Sequence, residues 1–301
     1  MTLNLSLVTE EVAICVTDRR LSAPAGGIVS ERGNKLTAFT CQNARGFITY
    51  TGIGRDDTGR SPNDWIVENP LLPALPFDQF VEVMKKMADQ RLGRLAAQGH
   101  DVRHSFVLGG FVAGTPVAVM ISNFESLGED GHRAQADPEL SISYCLPSPD
   151  AKTSTLIVAT GDIPFDRKGR IEQIGQLAKK GARPGELRAK MTKLLRDVAY
   201  KADRGGSVGT SVSRIIIPRW GEPEMDIDVV GGTSLLEGPN IIAPDMMIRD
   251  VYVDLSDDGV ASRYSRVHRK ALIKERPCSN CRAPVPEGYH RCGRCDHPVG
   301  E

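Results

Sequence analysis

Thr2-Leu-Asn-Leu-Ser-Leu-Val-Thr9 and, after two glutamates, Val12-Ala-Ile-Cys-Val-Thr-Asp18 open the chain, and their reading decides the fold class. Leu3, Leu5 and Leu7 alternate with Asn4 and Ser6, the period of two that buries one face of a strand. Val12 to Val16 is a continuous apolar run, expected of a strand covered on both faces. Beyond them, Gly26-Gly27 and Arg32-Gly33-Asn34 carry turn chemistry. Residues 35–40 and 46–51 read as a hairpin, with Gln42-Asn43 in its connection.

Helical periodicity follows. Phe77, Phe80, Val81, Met84, Met87, Ala88, Leu92 and Leu95 form the stripe of an amphipathic helix, with Pro76 in its first turn and Gly99 past its end. Strands are expected at 105–111, 116–122 and 155–160, with 125–138 a loop between the last two. Ile171, Ile174 and Leu177 mark a second helix. Leu187, Met191, Leu194, Leu195, Val198 and Ala202 mark a third, from near Pro184 to Gly205-Gly206. Residues 211–217 and 247–255 return to strand. Blocks segregated in this way predict α+β layers rather than a wound βαβ sheet.

Composition narrows the class. The chain has 301 residues, 40% of them hydrophobic and 25% charged, which describes a globular protein and excludes a fibre or a disordered chain. No apolar run approaches the ~18–20 residues of a membrane span. The opening residues lack the basic region and apolar stretch of a signal peptide, so a cytoplasmic location is expected. The 38 basic and 38 acidic residues cancel, but unevenly: nine Lys or Arg face only Glu275 and Glu287 between Ser262 and Cys295. Such a basic segment suits an acidic protein surface, a nucleic acid or the chain's own body.

Seven cysteines form two populations. Cys15, Cys41 and Cys145 are scattered among strand-like residues and are expected as reduced, buried thiols. Cys278-Ser-Asn-Cys281 and Cys292-Gly-Arg-Cys295 are two CxxC turns, each able to aim two sulfurs at one tetrahedral centre. A redox CxxC would be single and would follow a strand in a βαβ unit. The spacing therefore predicts a structural zinc held by Cys278, Cys281, Cys292 and Cys295. The stretch resembles the short zinc ribbons that end many bacterial proteins, a resemblance that implies a docking element for protein or nucleic acid. The expected division is 1–258 for the body, 259–277 for a basic linker and 278–298 for the ribbon.

The second residue carries the candidate chemistry. Removal of Met1 ahead of small Thr2 would leave a hydroxyl nucleophile and an α-amine on one residue, the amine titrating near ~8. Asp18 lies in Val16-Thr-Asp-Arg-Arg-Leu-Ser22, and Lys35 in Gly33-Asn-Lys-Leu-Thr37. Thr51-Gly52, Gly109-Gly110, Thr160-Gly161 and Gly205-Gly206 punctuate the later elements. With this order of blocks, residues 2–217 resemble the proteasome-type N-terminal-nucleophile hydrolases.

The resemblance implies a four-layer αββα sandwich and the following roles. Thr2 would be nucleophile and, through its amine, base. Lys35 would place a positive charge beside the hydroxyl, Asp18 would hold Lys35, Gly52 N–H would bind the oxyanion, and Thr160 would bond the terminal amine. It further implies a peptide or amide substrate and a homo-oligomer. The family's late Asp-x-x-Ser-Gly motif is not reproduced, and Asp203 or Ser207 fits it only after a register shift. Two other readings stay open: a catalytically silent scaffold of the same fold that binds protein or nucleic acid through its ribbon, and a thiol enzyme built on Cys15 or Cys41.

Overall fold

The computed structural model describes residues 2–22, 27–30, 33–69, 71–127, 135–148, 154–161, 168–201, 208–228, 235–237, 240–243, 246–248, 252–254, 263–264, 275–277, 279 and 284–286. The first strands are β1 (Leu3–Thr9), β2 (Val12–Asp18), β3 (Leu21–Ser22), β4 (Ile28–Ser30), β5 (Leu36–Cys41) and β6 (Ala44–Thr51). Helices α1 (Pro62–Val67) and α2 (Phe77–Ala97) come next, then β7 (Ser105–Val112), β8 (Thr115–Ser122), β9 (Ser141–Cys145) and β10 (Thr155–Gly161). They are followed by α3 (Lys168–Lys179), α4 (Pro184–Lys201), β11 (Val212–Pro218) and β12 (Glu224–Asp228). Short strands complete the order: β13 (Leu235–Glu237), β14 (Asn240–Ala243), β15 (Met246–Ile248), β16 (Tyr252–Asp254), β17 (Arg263–Tyr264), β18 (Glu275–Pro277) and β19 (Pro284–Pro286).

Local chemistry accounts for the joints. Thr9 closes the β1–β2 turn, its hydroxyl accepting from Val12 N–H and donating to Val12 C=O, both at 3.1 Å. Gln42 and Asn43 make the two-residue turn between β5 and β6, as the sequence predicts. Asn43 also caps α2: its side-chain oxygen takes the Phe77 N–H at 2.7 Å. Pro76 is the N-cap residue of that helix and stands outside its first turn, which corrects the sequence reading. Expected strand 247–255 divides into β15 and β16, which pair with different partners, β14 and β13. No sequence pattern marks α1 or β9.

Among the described residues, six strands in the order β10-β1-β2-β11-β12-β17 form one antiparallel sheet. Seven strands, β15-β14-β5-β6-β7-β8-β9, form a second, mixed because β14 runs parallel to β5. The alternation in β1 sorts its side chains: Leu3, Leu5 and Leu7 pack with Leu187, Met191, Leu194 and Leu195 of α4. Val8 joins Ala13, Cys15, Phe47, Val107 and Ile215 between the sheets. On the far side, Phe77, Phe80, Val81 and Met84 of α2 pack with Phe39, Ile48, Tyr50 and Phe106 of the mixed sheet. The layers therefore run helix, sheet, sheet, helix. Burying each such large side chain contributes about 1.5–3 kcal/mol, so the apolar patterns of β1 and α2 set which face goes inward. No helix among the described residues is long and apolar enough to cross a membrane.

Candidate active site

The expected site residues collect at strand termini, at one end of the layer between the sheets. Thr2 precedes β1, Asp18 ends β2 and Lys35 precedes β5. Because β1 and β2 are antiparallel with Asn4 opposite Thr17, the start of one strand lies beside the end of the other. Lys35 reaches them from the mixed sheet. Its ammonium donates to the Thr2 hydroxyl and lies 3.2 Å from both carboxylate oxygens of Asp18. Thr2, Asp18 and Lys35 are all buried, at 2%, 0% and 1% exposure. Burial lowers the local dielectric, which strengthens the attraction of the Lys35–Asp18 pair.

Asp18 is held from several directions. One carboxylate oxygen accepts the Leu3 N–H at 3.1 Å, and the other accepts those of Arg20 at 3.0 Å and Gly209 at 3.1 Å. Lys35 is positioned through its neighbour Asn34, whose carbonyl accepts from the Tyr50 hydroxyl at 3.1 Å and the Asn63 side-chain amide at 3.0 Å. Asn63 in turn accepts from the Thr37 hydroxyl at 3.0 Å. The sequence signals Tyr50 only through its apolar setting and Gly209 only through the late glycines near it, and gives no sign of Asn63.

Gly52 directly follows β6 with φ +103°. A Cβ there would lie 2.2 Å from the Arg103 carbonyl oxygen and 3.0 Å from His104 Nδ1, so the backbone passes where only glycine fits. Thr160 lies opposite Asn4 in the β10–β1 pairing, and its buried hydroxyl has no hydrogen-bond partner among the described residues. Its neighbour Gly161, φ +92°, is so close to Thr2 that a Cβ would stand 1.6 Å from the Thr2 carbonyl oxygen. The geometry thus brings together Thr2, Asp18 and Lys35, with Gly52 and Thr160 at the ends of adjoining strands. Asp203 and Ser207 fall outside the described residues.

The thiols offer little as nucleophiles. Cys15 and Cys41 are buried, and burial pushes both up to about 12, which leaves almost no thiolate near neutrality. Cys145 is free and partly buried, rather than buried as expected. Among the described residues no group of three or more His, Cys, Asp or Glu is placed to hold a metal ion. Cys278, Cys281, Cys292 and Cys295, the expected zinc ligands, lie outside those residues.

No protein-family model matches the chain, and no curated protein matches it. Among solved structures it is similar to a Gly-1 mutant of Anbu from Hyphomicrobium sp. strain MC1, at 14% identity and a TM-score of 0.47, over 86% of this chain and 89% of that one. It is also similar to Anbu, an ancestral beta-subunit, from Yersinia bercovieri, at 12% identity and 0.48, over 72% and 81%. A helical assembly of the Anbu complex from Pseudomonas aeruginosa gives 13% and 0.43, over 72% and 80%. These findings correct the family resemblance drawn from the sequence. The solved structures it is similar to are Anbu proteins, and no family model supports a proteasome-type hydrolase ending in a zinc ribbon.

Proposed function

We propose that the chain is an N-terminal-threonine hydrolase that cleaves an amide or peptide bond through an acyl-enzyme on Thr2. The observation that carries this reading is the Lys35 ammonium, buried and shared between the Thr2 hydroxyl and the Asp18 carboxylate. A positive charge at the hydroxyl favours its alkoxide-like form, and a carboxylate on the far side keeps the lysine charged and in place. The acid and base problem is then met by the amine that removal of Met1 would free.

In the proposed cycle the Thr2 oxygen attacks the substrate carbonyl carbon as its proton passes to the Thr2 amine. The backbone N–H of Gly52 donates to the resulting oxyanion. Collapse of this intermediate breaks the C–N bond, and the departing nitrogen takes the proton from the amine. Water then attacks the ester carbonyl and gives its proton to the amine; collapse breaks the bond to the Thr2 oxygen, which takes that proton back as the acid leaves. Thr160 would face the amine rather than the substrate. Self-association belongs to the same proposal, and light scattering of the purified protein decides it.

The direct test is covalent labelling by a β-lactone, which acylates a threonine hydroxyl. Labelling at Thr2 is expected in the wild type and absent in Thr2→Ala. Lys35→Ala should slow it by ~10²-fold or more, the scale of losing one preorganised electrostatic group. Equal labelling of all three proteins would overturn the assignment.

A further inference from the structure

We infer that Glu125 is a positioning residue for the Thr2 site: its carboxylate ties the strand end that leads into Gly52 to the strand end that flanks Thr2. The inference rests on the hydrolase reading above. Glu125 follows β8 and is 8% exposed. Its Oε1 accepts the Gly161 N–H at 2.8 Å, and its Oε2 accepts the Thr51 hydroxyl at 3.4 Å. Thr51 closes β6 in the mixed sheet, one residue before Gly52. Gly161 closes β10 in the antiparallel sheet, paired with Leu3. One carboxylate therefore spans both sheets at the point where the proposed oxyanion donor must face the proposed nucleophile.

The backbone around it is built to hold that carboxylate. The Glu125 N–H donates to Ser122 Oγ at 2.8 Å, and the Phe124 N–H donates to the same oxygen at 3.1 Å. These bonds fix the turn that leaves β8. A buried carboxylate is tolerated only where donors meet it, and bonds to a charged acceptor are about twice as strong as neutral ones. The contact also sits where there is no slack. A Cβ on Gly161 would lie 1.6 Å from the Thr2 carbonyl oxygen and 3.3 Å from Thr51 Cγ2. A shift at Gly161 is thus passed on to Thr2, and a shift at Thr51 to Gly52. Errors of ~1 Å between a nucleophile and its oxyanion donor cost ~10²-fold in rate.

The experiment compares wild type, Glu125→Ala and Glu125→Gln by β-lactone labelling, with the inactivation rate and the reagent's binding constant measured separately. Amide hydrogen exchange at Gly161 is followed in the same proteins. Glu125→Ala should lower the inactivation rate by ~10-fold or more with binding within about twofold, because alignment and not affinity is lost. Glu125→Gln keeps an acceptor for Gly161 and a group that can pair with Thr51, so it should recover to within about threefold of wild type. Gly161 exchange should quicken in Glu125→Ala and stay slow in Glu125→Gln. An Ala variant labelled at the wild-type rate overturns the inference, as does a Gln variant as slow as Ala. If the wild type is not labelled at all, the hydrolase reading fails by itself. Gly161 exchange then decides the tie alone: unchanged exchange in Glu125→Ala removes it.

Discussion

His104 is fully buried, neither ring nitrogen has a hydrogen-bond partner among the described residues, and it packs against Tyr50, Trp65 and Phe106 behind Gly52. Burial disfavours its charged form and holds it down to about 3, against an ordinary value of 6.5. Between those values the unfolded chain binds a proton that the native state does not. Stability from this group is therefore present above about pH 6.5 and lost as pH falls toward 3. By pH 5 the loss should reach about 2 kcal/mol, and His104→Phe should remove that part of the slope. Urea unfolding of both proteins at pH 7 and pH 5 checks this; equal slopes would show that His104 is not held neutral. At this scale Thr2, Asp18 and Lys35 enter through the family resemblance that their motifs carry, and the structure brings their side chains together. His104 and Glu125 were not legible, since each is a single polar residue whose neighbours come from distant strands.

Elements with a strong period were legible for a plain physical reason: the buried face repeats within the element itself. The α2 stripe and the β1 alternation needed no partner to be seen, and their core residues are those the period marks. The six-residue α1 is too short to show a period, and β9 is largely exposed or half-buried, so neither advertised itself. Strand β14 owes its place to parallel pairing with β5, far away in sequence. Helix α1 nonetheless matters to the site. Ser61 caps it in a reciprocal box with Asp64, and the helix carries Asn63, which bonds Asn34 beside Lys35. Ser61→Ala should cost about 1 kcal/mol of stability in a urea titration. It should also slow β-lactone labelling more than a surface change of equal cost, because the support of Lys35 loosens. Labelling that follows stability alone would show that α1 plays no part in placing the lysine.

The whole molecule joins two sheets, and the proposed site exists only while they are docked. Thr2 and Asp18 belong to one sheet, Lys35 to the other, so their contact crosses the central layer. Asp18→Ala leaves the buried ammonium without its carboxylate and should destabilise the fold by about 3–5 kcal/mol, read from the shift of the urea midpoint. A loss below ~1 kcal/mol would mean that the pair does not bind the sheets together. The α+β class was legible from the order of strand and helix blocks, whereas the four-layer stack came only with the family resemblance. The pairing of short strands after residue 228 rests on contacts that no local pattern encodes. The proposed mechanism needs a freed Thr2 amine, with its own hydroxyl, beside the Lys35–Asp18 pair. Intact-mass measurement of the purified protein decides whether that amine is free. A chain that begins at Thr2 is expected, and a protein that keeps Met1 throughout would refute the mechanism.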